Sequence, residues 1–267
     1  MIMKIRKSLL LSILCILLSP LTCLNANAGM VTGVRDLDIV FIVNSITYGA
    51  RLEKPQFEAP PVVASNYLRH QPKIRNVDFV NQGRSGYTTV DYLPSSGNTF
   101  AEVITATRLL HKNAQRLLVF SISLGTNDSA MEGPNGSPVD PSDYFKNLKM
   151  ISNKLLTIFP DCKIIFQQPI WYSPNTYNGA KYLAEGLTRL QRYFPELEAL
   201  VESYSHTNQG HVLMGDKKGF SYFENNCLTD LDPESGKQGT FYLHPNKKGA
   251  EMLGTFWGEA IYRQIIQ

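Results

Sequence analysis

The chain has 267 residues, 26 of them Lys or Arg and 23 Asp or Glu, with 43% hydrophobic residues. That is enough for one α/β domain with a sizeable core, and nothing in the length requires two. Three of the basic residues, Lys4, Arg6 and Lys7, lie at the extreme N-terminus; the rest of the chain has 23 of each sign, so its charge gives no indication of nucleic acid or an anionic membrane as partner. Those three residues precede an apolar run, Leu9 to Leu18, and the small-residue site Ala26-Asn27-Ala28 follows before Gly29. This is the three-part pattern of a secretory signal peptide over residues 1–28, and the run is too short for a membrane span. The expected mature chain is a single domain, 29–267, secreted or periplasmic. A lipid anchor on Cys23 is the second reading, because Leu21-Thr22 is a poor approach to a lipidated cysteine. Cys162 and Cys227 remain after cleavage, either paired or as two buried thiols.

The elements then alternate along the chain. In Asp38–Val43 the apolar residues run on without alternating, which predicts a strand buried on both faces. A helix is expected over Val62–His70 after Pro60-Pro61, a short strand over Val77–Val80, and a helix over Thr99–Asn113. A second doubly buried strand is expected at Leu117–Ile122, a helix at Ser142–Phe159, a third such strand at Lys163–Phe166, and a helix at Ala180–Tyr193. Gly210–Thr240, rich in Gly, Lys, Asp and Asn, is expected to be loops. The last helix, Lys247–Ile266, carries Met252, Leu253, Phe256, Trp257, Ala260 and Ile261 at three- and four-residue steps, one apolar face. This alternation implies a mostly parallel sheet with helices on both sides.

Ligands of such sheets bind at the carboxyl ends of the strands, so the polar residues after each apolar run are the candidates. Asn44-Ser45 follows the strand at Asp38–Val43, "NQGRSG" with Gly83, Ser85 and Gly86 the one at Val77–Val80, and "GTND" with Asn127 and Asp128 the one at Leu117–Ile122. A hydroxyl, glycine N–H groups and a side-chain amide at one edge suit acyl transfer, in which fixed donors surround the oxygen that becomes negative. Glycine allows its N–H to come close. The expected base is His244, in "FYLHPNKKG". Pro245 holds it extended, and Asn246 is a good cap for the final helix, whose positive end favours the neutral ring. His70, His111, His206 and His211 have no distinctive context.

Taken together, "VNSITYG", "NQGRSG", "GTND" and "HPNKKG" resemble, in order and spacing, the four sequence blocks of the SGNH (GDSL-type) hydrolase family of esterases and lipases, from Val43 to Gly249. The resemblance implies a three-layer α/β/α sandwich of flavodoxin-like type. It also implies Ser45 as nucleophile, His244 as base, and an oxyanion hole formed by the N–H groups of Ser45 and Gly86 and the side-chain amide of Asn127. The G-x-S-x-G elbow of the larger α/β-hydrolases is absent around Ser45. Two positions depart from the family pattern. Val43-Asn44 stand where Gly-Asp usually precedes the serine, and Phe241 stands where an aspartate usually precedes the histidine by three residues. The group orienting His244 is then a main-chain carbonyl or one of Asp230, Asp232 and Glu234; the sequence does not choose.

Other residues have blander readings. A left-handed turn is the blander reading of Gly86 and the expected one of Gly83; Asp128 is expected to be structural, and Ser85 to follow the wrong strand for a nucleophile. Trp171, Tyr172 and Tyr177 either stack on a sugar or pack. No Cys/His/Asp spacing suggests a metal, and no glycine-rich phosphate loop suggests a nucleotide cofactor. The expected substrate is an O-acetylated glycan. The alternatives are a lipid or thioester acylhydrolase and an inactive glycan-binding protein on the same fold.

Overall fold

The computed structural model describes residues 33–266. The segment 1–28, where a signal peptide is expected, lies outside them, Cys23 included. Five parallel strands, β1 (Arg35–Val43), β2 (Ile74–Asn81), β3 (Leu117–Ser123), β4 (Lys163–Phe166) and β5 (Val212–Met214), form one sheet in the order β2-β1-β3-β4-β5. This is the flavodoxin-like order. A separate antiparallel hairpin joins β6 (Leu231–Gly236) and β7 (Gly239–Pro245).

Between the strands run α1 (Ser45–Tyr48), α2 (Pro55–Glu58), α3 (Pro60–Arg69), α4 (Asn98–Leu110), α5 (Pro141–Ile158), α6 (Leu183–Glu202), α7 (Gly219–Asp230) and α8 (Lys247–Ile266). The helix α3 packs on α8, and α5 on α6. With right-handed crossovers, the reversal of direction after β2 puts α3 and α8 on one face of the sheet and α4, α5 and α6 on the other. The result is the α/β/α sandwich.

The strands form where the apolar runs are unbroken, because in a sheet covered on both faces every side chain is buried. Leu37–Val43 are all buried, Asp38 included. Asp38 is 1% exposed and is matched by the Arg116 guanidinium at 2.6 Å and by His111 Nδ1 at 2.8 Å. This network sits at the start of β1, so His111, without context in the sequence, is placed at the edge opposite the strands' carboxyl ends.

Two expectations need correction. Gly210–Thr240 is not a run of loops: it contains β5, α7 and β6. Buried Phe220, Phe223 and Leu231 supply its core contacts, in segments too short and polar for a periodic pattern to register. The helix expected at Ala180–Tyr193 begins later, at Leu183, and continues to Glu202 through Pro195, because Leu197 and Leu200 extend its buried stripe. Cys162 and Cys227 are both free. Burial pushes the Cys162 thiol up to about 12, which leaves it inert at neutral pH.

Candidate active site

The site is assembled at the carboxyl edge where the chain leaves β1, β2 and β3, the point at which the strand order reverses. Asn44 follows β1 and caps α1, its Oδ1 accepting the Ile46 N–H at 3.0 Å. That fixes Ser45 as the first residue of the turn. Val43, in place of the family's glycine, is buried in β1 and pairs with Ser123. Its carbonyl accepts from the Arg84 N–H at 3.1 Å and the Tyr92 hydroxyl at 2.8 Å, which ties the loop after β2 to the serine turn.

The two glycines of that loop do different work. Gly83 is not left-handed; a Cβ there would lie 2.7 Å from the Tyr48 nitrogen and 3.0 Å from the Asn44 carbonyl oxygen, so its role is close approach to α1. Gly86 is the left-handed one, at φ +80, with nothing within 4 Å of where its Cβ would be. Among the described residues, neither the Ser45 nor the Gly86 N–H is spent on a hydrogen bond.

Asn127 follows β3 and is buried. Its Nδ2 donates to the Tyr87 carbonyl at 2.8 Å, and its Oδ1 accepts from the Tyr182 hydroxyl at 2.8 Å. Burial raises the Tyr182 phenol far above its ordinary value, so it stays protonated and must donate here. The two neighbours therefore fix which end of the amide is nitrogen, leaving the second Nδ2 hydrogen for the cleft.

His244 arrives from the other side, at the end of β7. Its Nε2 is 3.0 Å from Ser45 Oγ, and its Nδ1 is 2.8 Å from Glu234 Oε1. Asn246 caps α8 as expected, Oδ1 accepting the Gly249 N–H at 3.1 Å. The carboxylate comes from β6, where Glu234 pairs across the hairpin with Phe241, the residue at the family's usual aspartate position. Between Tyr242 and Pro245, β7 has one residue more than β6 has between Pro233 and Leu231. Such a bulge re-aims side chains, and here it accompanies the turning of His244 toward Glu234. The other two candidates are elsewhere: Asp230 is held by Lys248 and Tyr222, and Asp232 lines a separate hollow. Because a carboxylate only accepts, Nδ1 carries the ring hydrogen and Nε2 is left to take the serine proton.

Ser45, Gly86, Tyr87, Asn127, Tyr182 and His244 line one open cleft of about 530 Å³. Volume does not single it out. A hollow of the same size beside α3 and α8, lined by Phe57, Tyr67 and His70, has no comparable convergence of nucleophile, base and donors. Trp171 and Tyr172 are buried in the core, so they pack; Tyr177 is covered by the Lys237 ammonium, 4.4 Å from its ring centre. Asp128 is fully buried and holds the Thr89 N–H at 2.8 Å and the Thr89 hydroxyl, and burial pushes it up to about 6. Ser85 is exposed at the rim.

Residues 44–252 match the model of the GDSL-like Lipase/Acylhydrolase family. The chain belongs to that family. Solved structures of SGNH hydrolases share its fold. A carbohydrate acetylesterase from Sinorhizobium meliloti superposes with a TM-score of 0.54 at 14% identity, covering 85% of this chain and 98% of its own. An acetylxylan esterase from Geobacillus stearothermophilus gives 0.55 at 18% identity over 89% and 96%, and an aryl esterase from M. smegmatis 0.55 at 15% over 85% and 99%. No curated protein matches this SGNH esterase in sequence.

Proposed function

We propose that this esterase hydrolyses short O-acyl esters of carbohydrates, acetyl esters above all, with Ser45 as nucleophile and His244 as general base. The observation that carries the reading is the chain Ser45 Oγ, His244 Nε2, His244 Nδ1, Glu234 Oε1, with steps of 3.0 Å and 2.8 Å, facing the Asn127 amide and the Gly86 N–H across one cleft. His244 takes the Ser45 proton as Oγ attacks the ester carbon. The carbonyl oxygen, now negative, is held by the N–H groups of Ser45 and Gly86 and by Asn127 Nδ2. Collapse of the adduct expels the sugar oxygen, which takes the proton from His244, and leaves an acyl-serine. Water, deprotonated by His244, then releases the carboxylic acid and restores Ser45. Glu234 holds the ring and balances its charge while the imidazole is protonated.

Asp91, Asn135 and Asn178 on the cleft wall favour a polar leaving group over a lipid chain, which would need a long apolar groove. The carbohydrate and xylan esters named for two of the structural relatives agree with this. The intact contacts between Ser45, His244 and Glu234 weigh against an inactive binding protein on the same fold. The N-terminal pattern supports export, which would bring the enzyme to extracellular or periplasmic glycans.

Acetate release from O-acetylated sugars and from p-nitrophenyl acetate, measured for residues 29–267 and for Ser45→Ala, tests the reading. It is supported if the parent acts on the sugar esters and the variant loses activity by orders of magnitude. Equal activity in both would place the nucleophile elsewhere, and a parent that acts only on lipid or thioester substrates would exclude the carbohydrate.

A further inference from the structure

A second hollow, of about 490 Å³, shares Ser85 and Tyr87 with the catalytic cleft and is otherwise lined by Tyr48, Asn81, Gln82, Gly83 and Arg84. Among the described residues, no aliphatic side chain lines it. Tyr48 ends the short helix α1 that begins with Ser45 and is 54% exposed, an aromatic ring presented to solvent. The Asn81 amide is fully engaged, donating to the Thr47 carbonyl at 2.7 Å and accepting the Gly83 N–H at 2.8 Å, so it forms a fixed wall. The Gln82 amide and the Ser85 hydroxyl make no hydrogen bond to any described residue. Arg84 is paired with Glu102 and lies 5.7 Å over the Tyr87 ring, so its charge is already balanced.

We propose that this hollow is a second sugar subsite, which binds the neutral sugar unit next to the one that carries the acyl group. The assignment rests on the carbohydrate reading above and narrows it to neutral glycans of at least two units. A sugar ring has an apolar C–H face and a hydroxyl edge. An exposed tyrosine offers the matching amphipathic surface, and a few convergent polar groups orient the hydroxyls. Tyr48 supplies the face, and Gln82 and Ser85 supply the donors and acceptors. Arg84, the cation among the residues that line the hollow, is paired with Glu102, which favours a neutral unit over a uronic or sialic acid unit.

The test compares three substrates: p-nitrophenyl acetate, an O-acetylated neutral monosaccharide and the matching O-acetylated disaccharide. The parent should prefer the disaccharide to the monosaccharide by about tenfold in kcat/KM, equivalent to about 1.4 kcal/mol. Tyr48→Ala and, separately, Gln82→Ala should each cut that ratio to within about threefold, mainly through KM. Gln82 carries the test if Tyr48→Ala does not fold. A parent with no preference between the two sugars, or variants that keep the parent ratio, would overturn the subsite. Preference for a uronic acid disaccharide would overturn its neutral character. Hydrolysis of p-nitrophenyl acetate with neither sugar ester touched would instead remove the carbohydrate reading, and the subsite with it.

Discussion

Glu234 Oε1 accepts hydrogen bonds from both the ring and the backbone of His244, at 2.8 Å from Nδ1 and 3.3 Å from the main-chain nitrogen. Both side chains are nearly enclosed, 12% and 11% exposed, so the contact is little screened by water. The carboxylate that the family usually carries three residues before the histidine is thus replaced by one from the neighbouring strand.

Glu234→Gln keeps the size of the side chain but removes its charge and allows it to donate to Nδ1, which favours the wrong tautomer. The expected result is a fall in kcat of about 10²- to 10⁴-fold with KM nearly unchanged. Asp232→Asn, by contrast, should leave kcat close to the parent value. A Glu234→Gln enzyme with parental kcat on p-nitrophenyl acetate would show that the ring is oriented by something else.

Tyr182→Phe removes the one donor to Asn127 Oδ1 among the described residues while keeping the ring packed against Tyr172. The amide loses the neighbour that distinguishes its two ends. We expect kcat to drop by about tenfold, short of the roughly 10²- to 10³-fold loss for removing an oxyanion donor outright, which Asn127→Ala should show. Steady-state kinetics with KM resolved from kcat checks both. An equal effect of Tyr182→Phe on KM alone would assign Tyr182 to substrate binding.

Asp128 has its folded-state pKa raised from 3.8 to about 6, chiefly by burial. The folded protein therefore binds this proton more tightly than the unfolded chain, and the stability that the proton supplies is present below about pH 4 and lost as pH rises through 6. The full swing is on the order of 3 kcal/mol. Asp128→Asn, which cannot titrate, should be relatively more stable as pH rises: the Tm of the parent minus that of the variant should fall by a few degrees between pH 5 and pH 7. A difference independent of pH would show that Asp128 is charged throughout.

At the opposite edge of the sheet, Arg116→Ala leaves Asp38 buried with only His111 beside it. Losing one partner of a buried pair costs about 3–5 kcal/mol, so denaturant unfolding should shift by that order while kcat/KM of the folded enzyme stays near the parent value. A large loss of kcat/KM with unchanged stability would contradict the separation of this network from the site.

The doubly buried strands and long amphipathic helices were legible because their patterns depend on burial alone. Ser45, Gly86, Asn127 and His244 were legible because each follows a recognisable strand or precedes a recognisable helix, and the structure lines one cleft with them. Glu234 was not legible as a choice among three acids, since its position depends on hairpin pairing and a bulge within a segment read as loop. The role of Asp38, at the head of the first apolar run, was not legible either, because it is explained by Arg116 and His111, which lie far along the chain. Gly83 was read as a left-handed turn but serves close approach to α1, because close approach and a left-handed φ leave the same mark in a sequence.

The most direct test of the central claim, that Ser45 is a nucleophile activated by His244, is covalent labelling with a small serine-directed phosphonate followed by peptide mapping. One phosphonyl group per chain is expected, on Ser45, with loss of esterase activity in step with labelling and labelling slowed by orders of magnitude in His244→Ala. A label on Ser85 or any other residue, or an active folded enzyme that takes none, would contradict it.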